Sequence, residues 1–85
     1  MYIVYVIQHD VDKSIYIGIT VNLRQRLRQH NAGENRSTIR KNGKWILIYA
    51  EAYRSKEDAQ ERERKLKTHG SGKHELYKRI KRSML

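Results

Sequence analysis

The 85-residue chain contains no cysteine and no phenylalanine, and its nine acidic residues face nineteen lysines and arginines. The missing cysteine excludes disulfides and cysteine-ligated zinc, and it points to a reducing compartment. No stretch approaches the ~20 apolar residues of a membrane-spanning helix. The opening run Met1 to Gln8 carries neither a basic leader nor a small-residue cleavage site, so a soluble cytoplasmic protein with no membrane partner is expected. With only 38% hydrophobic residues, the core must draw on tyrosine and tryptophan. The length favours one domain over residues 1–85, in which a body of this size buries roughly 60–65% of the surface its unfolded chain exposes.

What is present in excess is positive charge. The formal net charge is +10, enough in so small a body to steer a polyanion and hold it at the surface. The basic residues are spread over several elements rather than gathered on one amphipathic helix. That distribution favours a nucleic acid over an anionic membrane.

Residues 2–8 form an unbroken β-branched and aromatic run and residues 14–19 a second, with a polar hairpin loop at 9–13 between them. Thr20 or Asn22 is suited to cap a helix running to about His30, which Asn31 and Gly33 end. A long polar, basic loop follows to Lys44, then a third strand from Trp45 to Tyr53. Ser55-Lys56-Glu57-Asp58 opens a second helix with a capping-box-like pattern, continuing to about Thr68. Beyond a break at Gly70-Ser71-Gly72, Leu76, Tyr77, Ile80 and Met84 fall at helical spacing and predict a third helix. The order β-β-α-β-α-α predicts an α+β fold: a small three-stranded, largely antiparallel sheet flanked by three helices.

Strand alternation places Ile15, Ile17 and Ile19 on one face of the second strand and Tyr16 and Gly18 on the other. Gly18 would let a bulky ligand approach the backbone. Tyr5, set among Ile3, Val4, Val6 and Ile7, is buried on either face, and its hydroxyl needs a partner. On the first helix, Arg26 and His30 lie along one edge of the stripe defined by Leu23 and Leu27, either facing a shared cleft with Tyr16 at the seam with the sheet or standing as a solvated arginine and a boundary histidine. Glu63 lies between Ala59 and Leu66 on the inward face of the second helix, whereas Glu57 and Glu61 project outward. An inward carboxylate requires neutralisation, either by an internal cation such as Arg26 or by a bound metal.

Alternation also puts Trp45, Leu47, Tyr49 and Tyr53 on one face of the third strand, either as packing beneath a helix or as a platform for stacked bases. In the preceding loop Arg36, Ser37, Thr38, Arg40, Lys41 and Lys44 are candidate phosphate contacts, the alternative being a solvated basic loop.

With these residues placed, the chain resembles the GIY-YIG endonuclease superfamily, in particular short bacterial members related to the catalytic domain of the UvrC excision-repair protein. The first motif corresponds to Ile3-Val4-Tyr5 and the second to Tyr16-Ile17-Gly18. The family's helix arginine and histidine map to Arg26 and His30, and its metal-binding glutamate maps to Glu63. Two positions depart from the pattern: Ile3 stands in place of the usual glycine, and no asparagine occurs beyond Asn42 to match the family's later one.

The resemblance implies metal-dependent hydrolysis of a phosphodiester, an activity suited to the repair or processing of branched or damaged DNA. Glu63 would hold one Mg²⁺ or Mn²⁺, and Tyr5 would act as general base with Tyr16 orienting water or phosphate. Arg26 would bind the phosphate, and His30 would hydrogen-bond a tyrosine hydroxyl or relay its proton. Three readings follow from sequence: an endonuclease on DNA or RNA, a nucleic-acid-binding module that does not cut, and a nuclease that relies on a protein partner for targeting.

Overall fold

The computed structural model describes residues 1–68 and 71–85. Three strands, β1 (Tyr2–His9), β2 (Ile15–Thr20) and β3 (Trp45–Tyr53), alternate with helices α1 (Leu23–Asn31), α2 (Lys56–Lys67) and α3 (Ser71–Arg79) in the expected order β-β-α-β-α-α. A short 3₁₀ turn, Arg36–Thr38, interrupts the long polar loop. The sheet order is β2-β1-β3 and both pairings are antiparallel, giving an α+β fold. Among the described residues no helix is long and apolar enough to cross a membrane.

The central position of β1 explains its unbroken apolar run, because helices cover both faces of the sheet. Val4 and Val6 point to one face, where Ile17 and Ile48 join Ala59 and Leu66 of α2 and Leu76 of α3. Tyr5 and Ile7 point to the other, with Trp45 and, from β2 and α1, Tyr16, Leu23 and Leu27. Tyr77, Ile80 and Met84 pack against the first cluster, the last two from beyond the end of α3. Of the break expected at Gly70-Ser71-Gly72, Gly70 lies outside the described residues, and Ser71 and Gly72 already belong to α3, so the third helix begins earlier than the glycines suggest.

Side chains close the helix ends largely where the sequence predicts. Asn22 caps α1 by accepting from the Gln25 amide at 3.1 Å, and Thr20 instead braces Asn22 by accepting from its amide. Ser55 caps α2 by accepting from the Asp58 amide.

One expectation fails in β3. Its register shifts where Val6 pairs with Tyr49 and the next residue, Ile7, pairs with Leu47, leaving Ile48 as an extra residue. This bulge reverses the alternation, so Trp45 stays on the α1 side while Tyr49 and Tyr53 turn to the α2 side. The aromatic line is therefore divided between two cores and forms no continuous stacking surface. The hydroxyls of Tyr49 and Tyr53 and the Arg62 guanidinium all donate to Glu51. Burial works against ionised Glu51, but these donors hold its carboxyl below the ordinary range. Burial, followed by the same carboxylate, pushes Tyr53 up to about 12.

Candidate active site

Tyr5 sits in the middle of the central strand, 1% exposed, directly opposite Gly18 on β2. A β-carbon on Gly18 would lie 2.5 Å from the Tyr5 hydroxyl oxygen and 2.6 Å from the ring carbon bearing it. The space that the sequence assigned to a ligand is thus filled by the tyrosine ring itself. Gly18 is required because the phenol lies across its backbone.

The Tyr5 hydroxyl meets Nε2 of His30 at 2.7 Å. His30, in the last turn of α1, is 2% exposed, which places it deeper than the edge position its helical phase predicts. Its neighbour Asn31 explains the depth: the Asn31 side chain accepts from the Trp45 amide at 2.8 Å and donates to the Trp45 carbonyl, fastening the end of α1 to the start of β3. Nδ1 of His30 meets the Thr38 hydroxyl, again at 2.7 Å. The Tyr16 ring stands edge-on to His30 at 5.0 Å between centroids and tilted against Tyr5 at 6.3 Å.

Arg26, one turn before His30, is half-buried and acts on both groups. Burial pushes the Tyr5 phenol well above its ordinary pKa, reinforced by Tyr16 and Glu63, while the Arg26 charge pulls the other way. Burial lowers the His30 pKa and Arg26 lowers it further. At neutral pH the pair is therefore a protonated phenol against a neutral imidazole.

Glu63 lies on α2 with its side chain 20% exposed. Its ion-pair partner is Lys67, one turn on, at 3.2 Å, rather than Arg26. The same ammonium lies 5.9 Å from the centroid of the Tyr16 ring. Glu63 thus belongs to the neighbourhood of both tyrosines. Among the described residues no group of three or more His, Asp or Glu gathers to hold a metal ion, so Glu63 fits only a divalent ion that keeps most of its water ligands and displaces the half-exposed Lys67 ammonium.

The basic loop divides into two groups. Arg36, Ser37, Lys41 and Lys44 are exposed, as a phosphate-binding surface needs. Thr38 is not: it is fully buried, and its hydroxyl meets His30 and the Asn35 carbonyl. Arg40 is tied to the hairpin loop through Asp12 at 2.8 Å and through Ser14, and it stacks 5.1 Å from the Trp45 ring centroid. Lys44 is anchored through its backbone, which pairs with Asp10. Gly43 makes that approach possible, with φ of +86° and no side chain to strike Asp10 and His9. Asn31 and the inward role of Thr38 are invisible to spacing arguments, since their partners lie on another element or across an irregular loop, whereas the Glu63–Lys67 pair stands at the i,i+4 spacing of one helix.

The family profile of the GIY-YIG catalytic domain matches residues 1–78. The chain belongs to the GIY-YIG family. Its relatives are UPF0213 proteins: one from Staphylococcus haemolyticus is 37% identical over 67% of this chain and 70% of its own length. Another, from Streptococcus pneumoniae, is 43% identical over 66% of this chain, which spans only 57% of that relative. The solution NMR structure of the UPF0213 protein BH0048 from Bacillus halodurans superimposes with a TM-score of 0.57 at 29% identity, covering 92% of this chain and 84% of the other. Membership in this family places the chain in a nuclease superfamily.

Proposed function

We propose that this GIY-YIG protein is a divalent-cation-dependent endonuclease that hydrolyses DNA phosphodiester bonds in the cytoplasm. The observation that carries the reading is the buried Tyr5–His30 contact at 2.7 Å, with Arg26 acting on both groups and Glu63 close enough to influence the phenol. Water activation needs a base that is unprotonated at working pH, and a phenol with a raised pKa does not meet that need alone. Neutral His30 resolves the difficulty. As the Tyr5 oxygen takes a proton from the attacking water, the phenol's own proton passes to Nε2 of His30, leaving an imidazolium.

Arg26 supplies donors for the phosphate oxygens as negative charge develops on them. Tyr16, packed against both Tyr5 and His30, orients the water or the phosphate. Glu63 would hold one Mg²⁺ or Mn²⁺, which when bound neutralises charge on a phosphate oxygen and on the leaving group. Arg36, Ser37, Lys41 and Lys44 hold the DNA backbone, so binding should weaken steeply with salt, with log K falling by about 0.9 for each phosphate contact per unit of log[salt].

The deciding experiment incubates labelled duplex, single-stranded and branched DNA with the protein in Mg²⁺, Mn²⁺ or EDTA, alongside Glu63→Gln. Cleavage should require the cation and vanish in the variant, while DNA binding persists or tightens because one negative charge is gone. A Glu63→Gln variant that still cuts in Mg²⁺ would remove the carboxylate from the reaction.

A further inference from the structure

Thr38, eight residues beyond His30, is fully buried, unlike the exposed Arg36, Ser37, Lys41 and Lys44 of the same loop. Each hydroxyl in the chain Tyr5–His30–Thr38–Asn35 has one proton to give, and the neutral imidazole has one more. If Nδ1 carries the ring proton, every group is satisfied. Nδ1–H donates to the Thr38 oxygen at 2.7 Å, Thr38 donates to the Asn35 carbonyl at 3.3 Å, and the Tyr5 hydroxyl donates to the free lone pair on Nε2. If Nε2 carries it instead, the ring donates to Tyr5, whose own proton then has no acceptor among the described hydrogen bonds at a buried position. The Tyr77 hydroxyl shows that the fold bears one such group, but a second, at Tyr5, would add a desolvation cost that the Nδ1–H form avoids.

We infer that Thr38 is a positioning residue of the active site: it holds His30 in the Nδ1–H tautomer, so that the Nε2 lone pair faces the Tyr5 hydroxyl. A base oriented by a third group is the general logic of an activated catalytic pair. Thr38 is itself held firmly. Its carbonyl accepts from the buried Trp45 indole N–H at 2.8 Å, and Asn35 caps the 3₁₀ turn that carries it by accepting from the Ser37 amide. The ties from Asp12 to Arg40 and from Asp10 to Lys44 close the same loop against the β1–β2 hairpin. The loop expected to serve as a phosphate surface therefore also supplies the back wall of the base.

The inference rests on the nuclease reading for its catalytic consequence, but the tautomer is measurable without cleavage. Long-range ¹H–¹⁵N correlation spectra of the histidine rings at neutral pH, without metal or DNA, should show His30 protonated at Nδ1 and bare at Nε2. Thr38→Val keeps the shape and removes the hydroxyl. It should shift His30 toward the Nε2–H form and lower kcat by about 10–100-fold with little change in KM, and Thr38→Ser should restore both properties. A wild-type His30 protonated at Nε2 overturns the inference, as does a Thr38→Val protein that keeps the Nδ1–H form. Should the valine variant fail to fold, the wild-type and serine spectra alone decide the tautomer. Absence of cleavage in the wild type would instead overturn the nuclease reading and leave the tautomer assignment standing.

Discussion

On the face of the sheet covered by α2 and α3, β1 contributes Val4 and Val6 to a cluster whose other buried members are Ile17, Ile48, Ala59, Leu66 and Leu76. On the face covered by α1, the same strand contributes Tyr5, Ile7 and His9, and the buried neighbours include His30 and Thr38. The first face is held mainly by apolar area, a term that is non-directional and tolerant of small displacements, with one polar network, in which Tyr49, Tyr53 and Arg62 donate to Glu51. The second buries polar atoms that are stable only while each finds its partner. Residues one position apart on one strand thus meet different surroundings: mainly apolar packing around the Glu51 network on one side, and a chain of buried hydrogen bonds on the other, which Glu63 reaches from α2.

The largest expected effect tests the hydrogen-bonded face. Tyr5→Phe removes one oxygen, and cleavage should fall by about 10²–10⁴-fold. The variant should remain folded, at a cost of about 1–3 kcal/mol from the unpartnered Nε2 of His30. Normal cleavage by this variant, measured at saturating DNA, would reduce Tyr5 to a packing residue.

Leu66→Ala makes the opposite demand on the apolar face. Leu66 is fully buried, and its truncation should cost about 2–5 kcal/mol in chemical denaturation. Cleavage per folded molecule should be unchanged. A large loss of activity in the folded variant would show that the two faces are coupled through the sheet.

Gly18→Ala probes the boundary between the faces from β2. The added methyl group would collide with the Tyr5 hydroxyl and ring, so a cost of about 1–3 kcal/mol from overpacking is expected. The Tyr5–His30 hydrogen bond should break and cleavage should drop with it. A crystal structure of the variant with that bond intact would contradict the reading of Gly18 as the seat of the tyrosine.

The smallest effect is on pH. The folded-state pKa of His30 is lowered by burial and by Arg26, so the unfolded chain binds the proton more readily. Stability from this group is fully present above the ordinary histidine pKa of about 6.5 and is lost as pH falls below it toward the lowered folded value. The His30 ring signals should titrate below that ordinary value in NMR, and cleavage should decline over the same acid limb. A midpoint at or above about 6.5 would mean that the imidazole is less sheltered than its burial implies.

Much of this organisation was legible in local pattern. The β-branched runs, the capping residues Asn22 and Ser55 and the helical spacing of Leu76, Tyr77 and Ile80 marked the elements in order, since propensity and periodicity act over a few residues. Local pattern left packing or ion-pair readings open for Tyr5, Tyr16, Arg26, His30 and Glu63, and the family resemblance is what singled them out; the tertiary fold brings the two tyrosines, His30 and the field of Arg26 and Glu63 together. Alternation misplaced Tyr49 and Tyr53 because one extra residue in β3 reverses every side chain beyond it, and a bulge leaves no mark in periodicity.

Charge balance and the order of elements, then, follow from the sequence alone, because they depend on residue identity and near neighbours. The tertiary structure decided that β1 is central, that Tyr5 occupies the space above Gly18, that Lys67, paired with Glu63, lies near Tyr16 and that Thr38 stands behind His30. Three of these depend on how separate elements pack: the Tyr5–His30 hydrogen bond, for instance, joins residues 25 positions apart. Even Lys67, only one helical turn from Glu63, gains its place near Tyr16 from the docking of α2 on the sheet. Such contacts are set by burial and hydrogen-bond satisfaction across the whole domain, which no local run of residues records.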